Sequence, residues 1–186
     1  MTITNAELMY AILAMDSYNR GYNVSINVEG TSVGSATISN DSLILNSDTN
    51  DSNRVDQGAG FYAIAYSYEG ETVISYRGTD ELFDTNSDIG GDVWNGYSTG
   101  GGAPFSTPAL LAAEFYQEMT RTTSSEPSTI SVPYAPATLT GHSLGGGLAG
   151  FIASVYDKDA VIFDNMPFKA AAQAAYDAAI SPVGQF

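Results

Sequence analysis

The stretch that decides the fold is Ala137-Thr-Leu-Thr-Gly-His-Ser-Leu-Gly-Gly-Gly-Leu-Ala-Gly150. Its first five residues predict a buried strand, and the run from Leu144 to Tyr156 predicts a helix made largely of small residues. Between them lies Gly141-His142-Ser143-Leu144-Gly145, which fits the G-x-S-x-G pattern of a serine on a sharp strand-to-helix turn. The sequence therefore predicts a strand, a turn with Ser143 at its apex, and a helix.

Each residue type in this turn has a physical reason. The glycines two positions before and after Ser143 remove Cβ atoms that would clash in so tight a turn. The first N–H groups of the following helix, together with the positive end of its dipole, point at an oxygen reacting with Ser143. The pattern favours an exposed nucleophilic serine. The alternative is an ordinary glycine-rich turn that carries a surface serine.

Working outward from this turn, short apolar segments alternate with helical ones. Strands are predicted at 61–68, 72–76 and 160–163, the first two joined by a hairpin-like turn at Glu69-Gly70. Helices are predicted at 108–119 and 168–180, the former with one apolar side comprising Leu110, Leu111, Phe115 and Met119. Because strand–helix–strand–helix order implies right-handed crossovers, the last third predicts a parallel sheet.

The N-terminal third has a different character. Asn5 is a candidate cap for a helix reaching Tyr18, and its apolar residues at helical spacing are Leu8, Met9, Ile12, Leu13 and Met15. The segment at about 20–57 is rich in strands and turns, with strands predicted at 23–28 and 35–39 and a loop at 46–57. We find no internal repeat and no second domain.

Composition excludes several classes of function. The 186 residues contain no cysteine, one histidine and a net charge of −15. Disulfides, Cys-ligated metals and multi-histidine metal sites are therefore ruled out within one chain, and an acidic surface opposes nucleic-acid binding. No apolar run approaches the ~20 residues of a membrane helix, so no stable membrane insertion is expected. The N-terminus shows no Sec-type signal peptide.

Two blocks carry a resemblance to a known family. Thr140-Gly-His-Ser-Leu-Gly-Gly-Gly-Leu-Ala149 resembles the nucleophile segment of the α/β-hydrolase lipases, in particular the fungal-type class 3 lipases and the bacterial lipases exported by type I systems. Val73-Ile-Ser-Tyr-Arg-Gly-Thr-Asp80 resembles the strand and oxyanion loop of the same families. The resemblance covers roughly residues 60–165. It implies an α/β fold of the α/β-hydrolase type, with a central, mostly parallel sheet flanked by helices.

The resemblance also implies roles for single residues. Ser143 would be the nucleophile that forms an acyl-enzyme with carboxylic esters of lipids, and the N–H groups of Thr79 and Leu144 would form the oxyanion hole. Arg77 would be buried beneath the oxyanion loop, the alternative being a surface arginine. His142 would pack in the turn, with Gly141 and Gly145, and would not be the catalytic base.

The expected triad is incomplete. In this fold the serine is followed by an Asp or Glu and then by a histidine, yet the only histidine is His142. We expect residues 1–186 to be a single, partial domain, incomplete at the C-terminal side of the sheet and inactive alone. The missing C-terminal part of its own polypeptide would then be a partner. A catalytically silent module that binds lipid or a protein, and an unusual catalytic site, are the alternatives.

Three weaker features complete the sequence analysis. Asp164 ends a predicted strand and is a candidate triad acid, although a loop-capping aspartate is the reading we favour. The segment Asp84–Gly90 alternates oxygen side chains as calcium loops do, but Asn95 stands at the closing position. We favour a solvated, turn-forming acidic loop, with a calcium site as the alternative, and expect no required cofactor. Apolar residues that would suit a lid are Leu82, Phe83, Trp94, Tyr97 and Phe105, the alternative being permanent packing over the sheet.

The expected substrate is a lipid or another small ester, and acyl-chain preference is not encoded in these patterns. By resemblance to the type I-secreted lipases, we expect export by a non-Sec route, with a cytoplasmic location as the alternative.

Overall fold

The computed structural model describes residues 2–22, 24, 26, 28–46, 60–78, 103–121 and 135–180. The described helices are α1 (Asn5–Asp16), α2 (Thr107–Thr120), α3 (Leu144–Tyr156) and α4 (Lys169–Ile180), with 3-10 segments at Ser17–Asn19 and Ser42–Asn46. The strands are β1 (Ser32–Val33), β2 (Ala36–Asp41), β3 (Ala63–Tyr68), β4 (Glu71–Tyr76), β5 (Ala137–His142) and β6 (Asp159–Phe163).

The six strands form one mixed sheet in the order β1-β2-β3-β4-β5-β6. The first four strands pair antiparallel, whereas β4, β5 and β6 pair parallel. The expectation of a mostly parallel sheet is therefore wrong for the N-terminal half and holds for the C-terminal half. The β1–β2 and β3–β4 pairs have two-residue connections, which only antiparallel neighbours permit, whereas parallel neighbours need a long crossover. A mixed sheet flanked by helices is compatible with an α/β fold.

The predicted hairpin is confirmed. Glu69 and Gly70 connect β3 to β4 as a two-residue turn in which both residues have positive φ, 51° and 85°. Such turns match the right-handed twist of the flanking strands. Gly70 adopts a positive φ without a steric penalty. The two-residue turn sets the register of the hairpin, in which Ala63 pairs with Tyr76.

Helices cover both faces of the sheet. α2, α3 and α4 pack on one face, around a core that includes Ile74, Leu139 and Leu148, and α1 packs on the other. The cluster beneath α1 comprises Leu13, Ala36, Tyr62, Ile64, Tyr66, Tyr68 and Val73. Successive residues of β4 therefore pack in different cores, because the side chains of a strand alternate between the two faces of the sheet. The predicted elements of the last third are all present.

α1 departs from the sequence prediction in two ways. Its N-cap is Thr4 and not Asn5, because the Thr4 hydroxyl accepts a hydrogen bond from the Glu7 N–H while the Glu7 carboxylate accepts one from the Thr4 N–H. Leu8, Ile12 and Met15 are also exposed, at 54%, 43% and 52%. The buried residues of the helix are Leu13, Ala14 and Asp16, so its buried face is narrower than its apolar pattern.

The prediction of a strand at 23–28 is wrong at the described residues. Val24, Ile26 and Val28 lie outside any strand, and Ile26 is 67% exposed. Instead, Arg20 is buried and donates hydrogen bonds to the Val28 and Gly30 carbonyls at 3.0 and 2.7 Å. The Val28 N–H donates to the Asn19 carbonyl at 3.0 Å, so the described backbone groups of Val28 have partners outside any sheet.

Two further differences concern local elements. The strand predicted at 35–39 is confirmed as β2, but its short partner β1 and the 3-10 helix Ser42–Asn46 were not predicted. In α2, Leu110 is 51% exposed, so it does not share the buried side of Leu111 and Phe115. The predicted loop at 46–57, apart from Asn46, lies outside the described residues.

Candidate active site

Ser143 lies at the apex of the turn between β5 and α3, as the sequence predicts. Its backbone has φ 56° and ψ −124°, a combination that L residues rarely adopt. Three hydrogen bonds hold it there. The Ser143 N–H donates to the Phe163 carbonyl at 3.1 Å, and the Ser143 carbonyl accepts from the N–H groups of Gly147 and Met166 at 3.1 and 2.9 Å. A strained residue persists only where its surroundings over-determine it, and here both α3 and the segment after β6 do so.

The glycines of the motif are required by close backbone contact. A Cβ on Gly145 would overlap the Tyr76 carbonyl oxygen and lie 2.8 Å from the Arg77 carbonyl carbon. A Cβ on Gly141 would lie 2.8 Å from the Gly146 nitrogen. Both contacts are with backbone atoms, which no rotamer change can move away. The turn therefore needs glycine at both positions, for the reason that the motif suggests.

The sheet brings the end of β4 beside this turn. Tyr76 pairs with Gly141 in the parallel register of β4 and β5, and an added Cβ on Gly78 would lie 2.7 Å from the His142 carbonyl oxygen. Leu144, the other residue proposed for an oxyanion hole, is the first residue of α3, where helical N–H groups have no intrahelical acceptor. Thr79 itself lies outside the described residues, one position beyond Gly78.

The Arg77 side chain is buried, as expected, at 1% exposure. It donates hydrogen bonds to the carbonyls of Tyr22 and Arg20 at 2.9 and 3.4 Å. Its guanidinium carbon lies 4.4 Å from the centroid of the Tyr22 ring and 5.0 Å from that of Tyr62. Arg77 thus joins the N-terminal segment to the end of β4 and does not reach outward into solvent.

His142 is half-buried and contacts Tyr18, a residue that the sequence analysis did not select. Its Nδ1 lies 3.0 Å from the Tyr18 hydroxyl, and its carbonyl oxygen accepts a hydrogen bond from the same hydroxyl at 3.2 Å. The two rings meet edge to face, with centroids 5.9 Å apart. No signal in the sequence distinguishes Tyr18 from the other tyrosines, because its partner lies 124 residues away.

Asp164 follows β6 and lies close to the backbone of the turn. It is exposed and has a φ of 42°. The residue before it accepts the hydrogen bond from the Ser143 N–H, and Met166, two positions on, donates to the Ser143 carbonyl. The structure thus places Asp164 in the segment that brackets Ser143, and its role as a triad acid or as a loop residue stays a prediction.

Other candidates fall wholly or partly outside the described residues. These are the Asp84–Gly90 segment and the apolar residues Leu82, Phe83, Trp94 and Tyr97, whereas Phe105 is described and is 67% exposed. Within the described ranges, no three or more His, Cys, Asp or Glu residues are grouped so that they could hold a metal ion. Nor does that part of the chain contain a helix long and apolar enough to cross a membrane.

Comparison with known proteins gives no assignment. No protein-family profile matches the chain, and neither the curated proteins nor the solved structures give a match.

Proposed function

We propose that this chain carries the nucleophile of a lipase-like serine hydrolase that cleaves carboxylic esters. The observation that carries the proposal is the backbone of Ser143, which combines φ 56° with a strand on one side and a helix N-terminus on the other. An ordinary glycine-rich turn has no need to hold a serine in a strained conformation. Strain of this kind clusters at active sites, because it positions a reacting group at a cost to stability. The resemblance of two sequence blocks to α/β-hydrolase lipases supports the same function.

The chemistry follows from the positions of the groups. Ser143 Oγ attacks the ester carbonyl carbon, its proton passes to a base, and the carbonyl oxygen becomes an oxyanion facing the start of α3. Collapse of this intermediate breaks the bond to the alkoxy group, which leaves as an alcohol after taking the proton from the base. Water then hydrolyses the acyl-enzyme and restores Ser143. The N–H groups of Leu144 and Thr79 are the proposed donors to the oxyanion.

The proposal requires a base other than His142. The ring of this histidine packs edge to face against Tyr18, and the resemblance to the lipases implies a catalytic base elsewhere in the sequence. Asp164 lies between Phe163 and Met166, which both hydrogen-bond to the Ser143 backbone. Its carboxylate is therefore our candidate to orient the catalytic base. A net charge of −15 opposes anionic substrates, and we therefore propose uncharged acyl esters.

The test supplies the base from solution. The 186-residue chain is incubated with a fluorophosphonate and, separately, with a p-nitrophenyl ester, each with and without imidazole. We expect slow reaction without imidazole and an increase in the rate of adduct formation, of about tenfold or more, when this general base is added. Mass spectrometry of peptides should locate the adduct on Ser143.

Two variants control the experiment. Ser143→Ala removes the nucleophile and gives the background reaction of imidazole with the ester. Ser154→Ala removes another α3 hydroxyl, which donates to the Gly150 carbonyl and lies outside the proposed site, and should leave labelling unchanged. Labelling spread over several serines, or equal labelling of folded and urea-unfolded chain, would overturn the proposal.

A catalytically silent binding module is the second candidate. Leu8, Ile12 and Met15 recur at helical spacing on α1 and are all exposed, as a helix that docks against another surface would be. This candidate predicts no imidazole-dependent adduct on Ser143 in the folded chain. The same experiment therefore separates the two functions.

A further inference from the structure

We propose that Tyr18 is a positioning residue of this site, whose hydroxyl fixes the serine turn against the end of β4 and holds His142 with its proton on Nδ1. The catalytic part of this inference rests on the proposed function. The bonds of Tyr18 do not, and they can be tested independently of any reaction at Ser143.

The Tyr18 hydroxyl lies where the two halves of the proposed site meet. It contacts both the Nδ1 and the carbonyl oxygen of His142, the residue before Ser143. On its other side it occupies the space that a Cβ on Gly78 would fill. Gly78 precedes Thr79, so one hydroxyl touches the residues immediately before the proposed nucleophile and before one proposed oxyanion donor. A change in its position moves one of these groups relative to the other.

Tyr18 lies in the 3-10 segment Ser17–Asn19, which directly follows α1, and hydroxyl groups of the sheet contact α1. The Ser75 hydroxyl on β4 donates to the α1 carbonyl of Leu13 at 3.0 Å. The Thr140 hydroxyl on β5 donates to the Val161 carbonyl at 2.7 Å and lies 3.3 Å from the α1 carbonyl of Tyr10. At the end of α1, the buried Ser17 hydroxyl donates to the Ala14 carbonyl at 2.8 Å. The ring of Tyr18 is therefore held by a docked helix, and a positioning group needs such rigid support.

Both contacts of the Tyr18 hydroxyl with His142 are hydrogen bonds in one arrangement, in which Tyr18 donates to the carbonyl and accepts from Nδ1–H. A tyrosine hydroxyl has one proton, and a carbonyl oxygen can only accept. When Tyr18 donates to the His142 carbonyl, its contact with Nδ1 is a hydrogen bond only if Nδ1 carries the proton. Neutral His142 is then the Nδ1–H tautomer, with the lone pair on Nε2. A histidine without such a partner in water prefers the opposite tautomer, so this assignment is a distinctive signature of the contact.

The consequence for the reaction is geometric. The His142 carbonyl belongs to the peptide group whose nitrogen is the Ser143 N–H, so the Tyr18 bond orients the peptide plane that enters the turn. Loss of the hydroxyl leaves the strain at Ser143 in place but removes one restraint on that plane. We expect slower attack by Ser143 with little change in substrate binding, since small misplacements of reacting atoms reduce rates strongly.

The experiment compares Tyr18→Phe with Tyr10→Phe as its matched control. Tyr10 lies on α1, is half-buried and packs edge-on against Tyr68, away from the serine turn. Because His142 is the only histidine, its ring nitrogens give one set of signals in ¹⁵N-labelled protein. At a pH where the ring is neutral, we expect protonated Nδ1 in the wild type and in Tyr10→Phe, and protonated Nε2 in Tyr18→Phe.

Labelling of Ser143 in the presence of imidazole supplies the second readout. We expect Tyr18→Phe to lower the maximal labelling rate about tenfold without changing the probe concentration that gives half that rate, and Tyr10→Phe to match the wild type. A neutral wild-type His142 protonated on Nε2 would overturn the proposal without any variant. A tautomer change with an unaltered labelling rate would reduce Tyr18 to a structural partner and overturn its positioning role. Absence of labelling in every variant would instead overturn the proposed function, while the tautomer still reports on the Tyr18 contact.

Discussion

The strain at Ser143 can be measured as a difference between two substitutions. A non-glycine residue in this region of backbone space costs about 1–3 kcal/mol, which glycine does not pay. Ser143→Gly should therefore raise the free energy of unfolding by about 1 kcal/mol relative to Ser143→Ala, although both remove the nucleophile. Urea unfolding followed by circular dichroism gives the comparison.

Ser143→Ala is the control because it keeps a Cβ and hence the strain. It should stay within about 0.5 kcal/mol of the wild type, since the described structure gives the Ser143 hydroxyl no protein partner whose loss would matter. If the glycine variant proved no more stable than the alanine variant, the Ser143 backbone would not be strained. The argument for an active site from that strain would then fail.

The first turn of α3 offers a matched pair of glycines for a packing test. A Cβ on Gly145 meets the Tyr76 carbonyl, whereas one on Gly147 stays 3.0 Å from the Met166 carbonyl oxygen. Both substitutions gain the helix propensity of alanine, and the Gly147 contact is tight but less severe, so their difference measures the extra overlap at Gly145. We expect Gly145→Ala to lower the free energy of unfolding by about 2 kcal/mol or more relative to Gly147→Ala, because a backbone clash must shift β4 or α3. Equal stabilities in urea would show that the β4–α3 contact is looser than described.

At the residue scale, the sequence predicts those parts of the site that are local. Gly141, Ser143 and Gly145 follow from a five-residue pattern, because the steric demands of the turn act within it. Tyr18 does not, because its contact with His142 depends on how α1 docks on the sheet. Burial of Arg77 was predicted only through a resemblance, and its partners in the 20–22 segment were not foreseen.

The capping box of α1 predicts a pH dependence at the level of one element. Hydrogen bonds from the Thr4 backbone and side chain lower the pKa of the Glu7 carboxyl. A lowered folded-state pKa stabilises the fold above the unfolded value and loses that contribution as pH falls through the folded one. Thr4→Ala removes the pH-independent cap to the Glu7 N–H and the hydroxyl–carboxylate bond to Glu7. It should cost about 1 kcal/mol near neutral pH and somewhat less in acid, where the carboxylate part is lost, as urea midpoints across this range would show.

Asn5→Ala serves as the control for this prediction. Asn5 is the first residue of the helix and not its cap, so its replacement should change stability little. A larger loss from Asn5→Ala than from Thr4→Ala would contradict the assignment of the cap. So would a Thr4→Ala effect that did not diminish in acid.

Elements were predicted well where local pattern and tertiary contact agree. The β3–β4 hairpin and the β5-α3-β6-α4 run have short connections, and their residues also pack where their patterns direct them. The 23–28 segment has an alternating pattern, but its backbone is held by the Arg20 guanidinium and joins no sheet in the described part. In α1, the apolar pattern is wider than the surface available to bury it, so periodicity alone could not identify the exposed side.

At the scale of the whole molecule, two buried arginines organise the N-terminal segment and its contact with the sheet, in a chain of strongly negative charge. Arg20 pairs with Asp16, which also accepts from the Tyr66 hydroxyl at 2.8 Å, and Arg77 contacts the backbone of the same segment. The composition shows six basic residues but not that two of them are interior. Tyr62 and Tyr66 are buried beside this network, and Tyr76 is buried on the other face of the sheet.

Alkali should unfold the protein by ionising these tyrosines. Burial raises the pKa of Tyr66, with a further contribution from Asp16, and burial raises that of Tyr76 well above its ordinary value. A raised folded-state pKa leaves stability intact below the unfolded value of about 10 and diminishes it as pH rises towards the folded one.

Tyrosine ionisation should therefore change the urea midpoint little between neutral pH and about pH 9. Above pH 10 the midpoint should fall steeply, together with a cooperative rise in tyrosinate absorbance. Tyr76→Phe loses the hydrogen bond to the Ala112 carbonyl and lowers stability at neutral pH, but its decline in alkali should be shallower than that of the wild type. Tyr176→Phe, at a ring that is 62% exposed, should keep the wild-type slope. Alkali favours the unfolded chain because a buried phenol ionises there and not in the fold. Equal slopes of the urea midpoint against pH for Tyr76→Phe and Tyr176→Phe would therefore mean that ionisation of the buried tyrosines does not control alkaline unfolding.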